Sequence, residues 1–163
     1  SCLSATDQAT RLSLLSGAVS TLKANPNTKV YIDAGHSNWI SADTMAANLQ
    51  KAGVGLADGF ALNVSNFMPT SDEVSYGQQI SSKVGGKHFV VDSSRNGNGS
   101  NGQWCNPSGR AIGTKSTFQT GNSAVDAFLW LKTPGESDGN CNGGPSAGQW
   151  FGSYAKALVD NAH

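Results

Sequence analysis

The sequence predicts an α/β domain in which helices cover a parallel sheet. Two observations carry this: helix-period and strand-like segments alternate along the chain, and the strand-like segments are near-continuous apolar runs. A third favours a (β/α) barrel over a doubly wound sheet. Each strand-like run ends in chemistry-bearing side chains: Asp33 and His36 after the first, Asn63 and Asn66 after the second, Asp92 and Arg95 after the third, Lys132, Glu136 and Asp138 after the fourth. Barrel enzymes gather their functional groups at the carboxyl ends of successive parallel strands. Four runs account for about half of an eight-stranded barrel.

From Thr6, Leu12, Leu15, Val19 and Leu22 follow the spacing of an amphipathic helix that ends before "NPN". "KVYIDAGH" supplies a buried strand over Lys29 to Asp33. Ser41 is placed to cap a second helix through Met45 and Leu49 to Ala52. "DGFALNV" is the second strand. Thr70 with Glu73 three residues on has the form of a capping box, and it opens a helix that stops at Gly85-Gly86. "KHFVVD" is the third strand, a long polar loop runs from Asn96 to Asn122, and "VDAFLWLK" is the fourth strand. Trp150, Tyr154 and Leu158 give a closing helix one apolar stripe. Trp130 in the fourth strand and Trp150 on that helix are expected in the core.

With 163 residues the chain is long enough for one domain with a single core, so residues 1–163 are taken as part or all of one domain. Eleven basic residues balance eleven acidic ones without a like-charge run, which excludes the electrostatic footprint of nucleic-acid or anionic-membrane binding and favours a neutral partner. No apolar stretch approaches the roughly 20 residues of a membrane span. No His or Cys grouping has zinc spacing, and "GNGSNG" lies inside a loop without the strand and helix of a dinucleotide site, so no cofactor is expected. Three cysteines allow three single pairings and leave one over. Cys105 and Cys141 both sit in Gly/Asn/Pro loops, where a free thiol would not normally hide, and are the favoured pair, implying an oxidising compartment. Cys2 is then left without a partner.

Trp39 and Trp104 lie in loops just past strand ends, beside Gly, Ser and Asn. An indole there suits stacking on the apolar face of a sugar, whose hydroxyls Asn, Asp, Glu and Lys can take. Ordinary readings stand beside this one. Asp33 and Arg95 can form a buried ion pair that braces strand ends. His36 can brace its loop, and Lys132 can be a solvated strand end. The sequons at Asn63 and Asn98 are weak signals, and a glycan on Asn63 would block a strand-end site.

Taken together and in order, "VYIDAGHSNWI", "GFALNVSNF", "FVVDSSRNG", "WCNPSGRAIG" and "LWLKTPGESDGNC" resemble the second half of the catalytic domain of glycoside hydrolase family 6, cellulases that cut β-1,4-glucan. The resemblance runs from about Cys2 to Asn161. It implies a distorted (β/α) barrel with fewer than eight strands, of which this chain supplies about the C-terminal half, and hydrolysis with inversion at the anomeric carbon. It places Asp138 at the general-base position and Asp33 as an acid lining the cleft. Lys132 and Glu136 match residues that hydrogen-bond a sugar on the non-reducing side of the cut, with Trp104 as the stacking platform there. Trp39, with His36 near it, matches the platform on the reducing side. Asn63 and Asn66 match substrate-site residues that, with Asp92 and Arg95, shape the cleft floor, and Cys105 and Cys141 match a family disulfide.

Inversion needs one acid to protonate the leaving oxygen and a carboxylate about 6.5–9.5 Å away to serve the water. In "PGESDG" the two acids then have separate tasks: Glu136 holds sugar hydroxyls and Asp138 serves the water. The resemblance puts the proton donor, and a partner for Cys2, on strands before this segment, so the general acid is expected to be missing and the chain inactive without an N-terminal half. Exo-acting relatives roof the cleft with a long insertion after this motif. Here only "NCNGGPS" follows, so a secreted endo-acting β-1,4-glucanase on cellulose or cello-oligosaccharides is favoured. An exo-acting cellobiohydrolase, a non-catalytic β-glucan binder and a purely structural fragment are the alternatives.

Overall fold

The computed structural model describes residues 3–162, so Cys2 and any pairing it makes lie outside the described residues. The elements are α1 (Ala5–Lys23), β1 (Tyr31–Asp33), α2 (Ala42–Lys51), β2 (Gly59–Leu62), α3 (Thr70–Lys83), β3 (His88–Asp92), β4 (Val125–Leu129) and α4 (Gly152–Asp160). All strand pairs are parallel and the order is β1-β2-β3-β4. A doubly wound sheet reverses its strand order at a switch point; this one winds in a single direction, as in a barrel, and is not closed.

The sheet has two unlike faces. On one, Phe60, Leu62, Phe89 and Val91 pack with Met45 and Leu49 of α2 and Ile80 of α3 in the main core. Phe60 and Phe89 stack across β2 and β3 with ring centroids 5.2 Å apart. Gly77 lets α3 come down on the sheet, since a Cβ there would collide with the Phe89 ring. The other face carries small residues, Ala61, Val90 and Ala127, with Tyr31 and Leu129 at its margin. A register shift at Phe89/Val90 makes Asp126 the unpaired residue of β4. Its carboxylate accepts from the Tyr31 hydroxyl at 2.6 Å and meets the His88 ring at 2.7 Å, joining β1, β3 and β4.

Helix α2 begins as expected, with the Ser41 hydroxyl accepting from the Thr44 N–H. Helix α3 does not begin with a capping box. Pro69 is its N-cap, Thr70 already lies within the helix, and the Glu73 carboxylate turns inward to accept from the Ser37 N–H at 2.8 Å. Burial of Glu73 overrides the local motif, because the loop after β1 needs an acceptor at that point.

The expected core roles of two tryptophans also fail. Strand β4 ends at Leu129, and Trp130 sits beyond it with its indole N–H donating to the Thr114 carbonyl at 2.9 Å. Trp150 precedes α4 and is 65% exposed; only Tyr154 and Leu158 of the expected stripe are buried.

Candidate active site

The loops after the four strands carry the candidate residues, and one buried carboxylate holds three of those loops together. Asp92, at the end of β3, accepts from Ser94 N–H with one oxygen and from Ser65 and Lys132 N–H with the other. Ser65 lies after β2 and Lys132 after β4, so a single side chain fixes the spacing of neighbouring loops. Asn63 is fully buried. Its amide donates to the Met68 and Asp92 carbonyls and accepts from Met68 N–H. Both its amide nitrogen and its amide oxygen are thus engaged within the protein. Asn66, half-buried, donates to the Val64 carbonyl.

Arg95 is wholly buried and does not pair with Asp33. It donates to Asp138 Oδ2 and to the Ser65 carbonyl, each at 2.8 Å, and lies 4.4 Å over the Phe67 ring. Such a cation needs its charge and its donors answered on the spot, and Asp138 does the first. Asp138 Oδ2 also accepts from Asn106 N–H at 2.9 Å, while its other oxygen accepts nothing among the described residues. Asp138 N–H donates back to Asn106 Oδ1 at 2.8 Å. The Asn106 amide reaches the Ser137 hydroxyl and the Gly139 and Cys141 carbonyls. The disulfide Cys105–Cys141, with Cα atoms 6.1 Å apart, joins the same two loops next to this exchange. Asp138 is therefore held by a charge, a backbone amide and a covalent link.

Glu136 and Lys132 form an ion pair at 3.2 Å at the mouth of the loop, with Glu136 partly exposed. Trp104 is 68% and Trp39 63% exposed, so each presents indole surface to solvent. Trp39 packs against Gly35, whose φ of 66° is open to glycine and where a Cβ would strike the indole. Asp33 is exposed and accepts from Gly35 N–H at 2.8 Å. His36 has a buried Nδ1 without a partner, and burial lowers its pKa against the opposing pull of Asp33. An open polar trough of about 650 Å³ continues from Ser37 and Asn38 past Pro69 and Asp72 to Asn98 and Ser100. Among the described residues no cluster of three or more His, Cys, Asp or Glu could hold a metal.

The roles of Asn106 and Ser137 escaped the sequence reading, and Glu73 entered it only as part of a capping box. The one sequence signal for Asn106 was its place between Cys105 and Pro107, and its φ of 45° belongs to a conformation that asparagine tolerates.

The family model for glycosyl hydrolases family 6 matches residues 1–162. The chain belongs to that family. Endoglucanase A of Cellulomonas fimi is 57% identical over 134 residues, covering 82% of this chain and 30% of that protein. The endoglucanase Cel6 from Mycobacterium tuberculosis, solved in complex with methyl-cellobiosyl-4-deoxy-4-thio-β-D-cellobioside, is 50% identical with a TM-score of 0.95 over 98% of this chain and 56% of that one. The family 6 cellobiohydrolase Cel6A from Chaetomium thermophilum is 30% identical with a TM-score of 0.80, over 93% of this chain and 56% of that one. The chain thus spans little more than half of its solved relatives, in keeping with an open part of the distorted barrel.

Proposed function

We propose that this chain forms one side of the cleft of a secreted family 6 endoglucanase, which cleaves internal β-1,4-glucosidic bonds of cellulose or related β-glucan with inversion. The observation that carries the reading is the hold on Asp138: Oδ2 is engaged by Arg95 and Asn106, and the other oxygen is left to take a proton from an attacking water. Glu136 and Lys132 then bind sugar hydroxyls on one side of the cut. Trp104 and Trp39 stack on the rings to either side, and Asp33 and His36 line the reducing side. The disulfide supports an oxidising, extracellular setting. The short loop between Gly139 and the last helix supports an open cleft and endo-action.

Besides Asp138, the described cleft carboxylates are Asp92, Glu136 and the exposed Asp33. Asp92 is closed off by three backbone N–H groups, and Glu136 is paired with Lys132. The proton donor then comes from the other part of the barrel. The test is release of reducing ends from a soluble β-1,4-glucan by this chain alone, by the chain with a separately made N-terminal half, and by the Asp138→Asn variant in each case. Activity is expected only in the mixture and falls by about 10²- to 10⁴-fold in the variant. Hydrolysis by the chain alone, lost in the variant, overturns the missing acid. Glucan binding without hydrolysis in any arm makes the chain a binding fragment.

A further inference from the structure

The geometry points to Tyr154 of α4 as a positioning residue for Asp138, acting through the Arg95 guanidinium. This rests on the reading of Asp138 as the base. Arg95 is wholly buried, and two of its three nitrogens have acceptors: Asp138 Oδ2 and the Ser65 carbonyl. Its Nε is buried and without a partner. So is the hydroxyl of Tyr154, a side chain only 7% exposed. Each atom is without a hydrogen-bond partner, and the two are neighbours, since the Arg95 guanidinium is the charge that acts most strongly on the Tyr154 phenol, with Asp138 next. Burial pushes the phenol up to about 12, so the hydroxyl keeps its proton while its oxygen remains free to accept.

Arg110 is the other nearby cation, and it is already engaged: its guanidinium donates to the Ser108, Asn98 and Gly99 carbonyls. A cavity of about 380 Å³ is lined by Tyr154 together with Asn106, Arg110 and Phe151, so the phenol side chain borders open space.

Helix α4 is itself tied to the Asp138 loop. Phe151 N–H donates to the Gly135 carbonyl, Ser137 N–H to Gln149 and Gly148 N–H to Ser137. Tyr154, in the first turn of α4, stacks on Phe151 with centroids 5.7 Å apart. With Tyr154 as its third acceptor the guanidinium fork is fixed on every side, and so is the carboxylate oxygen that it holds. No motif in the sequence links Tyr154 to Asp138; α4 brings them together.

The test compares Tyr154→Phe, which keeps the ring, with Phe151→Leu, which disturbs the stacking but keeps the hydroxyl. Exchange of the Arg95 Nε–H, read by nitrogen-15 NMR on the chain, should accelerate about tenfold in Tyr154→Phe and not in Phe151→Leu. In the chain mixed with its N-terminal half, Tyr154→Phe should lower kcat about tenfold and leave KM unchanged. An Arg95 Nε–H signal unchanged in Tyr154→Phe, or equally accelerated in both variants, overturns the contact. A changed signal with unchanged kcat overturns the positioning role. If the unsubstituted mixture does not hydrolyse glucan, the reading of Asp138 as a base falls and the positioning role falls with it, while the exchange data still decide the contact.

Discussion

Glu73 shows how a single buried residue can couple the loop after β1 to pH. One oxygen accepts from Ser37 N–H, within the loop that carries His36 and Trp39, and the other is buried without a partner. Burial raises its pKa above the ordinary glutamate value, against the Ser37 hydrogen bonds and with a small push from Asp72. The sign follows. Below the range where a glutamate ionises in the unfolded chain, both states hold the proton and stability is at its full value. As pH rises, the unfolded chain releases its proton first, so stability falls until the folded carboxyl also ionises. Urea unfolding should show stability declining from mildly acidic toward neutral pH, and Glu73→Gln, which keeps an acceptor for Ser37, should flatten that decline. An unchanged slope in the variant would mean that Glu73 is not its source. The capping-box signature at Thr70 concealed this role, because a three-residue spacing cannot report that the side chain is needed by a loop more than thirty residues earlier.

At the scale of elements, α1 is the loosely held piece. Val19 is its one buried residue, whereas α2 buries Ala42, Met45, Ala46 and Leu49. Polar contacts make up part of the difference. Lys23 donates to Asp58 Oδ2 at 2.8 Å and to the Thr28 carbonyl, and the same carboxylate accepts from Val30 N–H and from Lys29. The Lys23 hydrogen bond, with help from Val30, holds the Asp58 carboxyl well below the usual range. Its contribution is therefore present above the unfolded aspartate value of 3.8 and lost as pH falls. Asp58→Asn should destabilise the chain by about 1–3 kcal/mol, remove part of the acid sensitivity, and speed tryptic cleavage at Arg11 while the sheet keeps its protection. Equal cleavage rates would show that apolar packing alone holds the helix.

The elements themselves were readable from sequence, because apolar period, Ser41 and the glycines after Val84 are local signals. What lay beyond reach were contacts between distant segments: the partner of Arg95, the Asn106–Asp138 exchange and the exposure of Trp150. Asp33 was an equally good candidate for Arg95 on charge alone. Only the closeness of the third and fourth strand-end loops decides for Asp138.

Across the whole molecule the two edges of the sheet differ. The outer edge of β4 is covered by its own chain, with Thr117 and Phe128 exchanging N–H···O bonds at 2.9 and 3.0 Å and Trp130 N–H donating to the Ser116 hydroxyl. Among the described residues the outer edge of β1 has no such cover. Beside it lies an apolar groove of about 380 Å³ between α1, β1 and α2, lined by Leu12, Leu15, Ile32, Trp39, Met45 and Leu49. An open edge next to exposed apolar surface favours association. In sedimentation velocity the chain alone should gain mass as its concentration rises tenfold, and it should enhance the fluorescence of an apolar dye. Leu15→Glu places a charge in the groove without touching the main core, and should reduce both signals while leaving the circular dichroism unchanged. Addition of the N-terminal half should quench dye binding to the unsubstituted chain, because the segment that completes the barrel would cover this same edge. Dye binding that survives complementation would place the joining surface elsewhere, and a chain monomeric at every concentration would show that the β1 edge does not drive association.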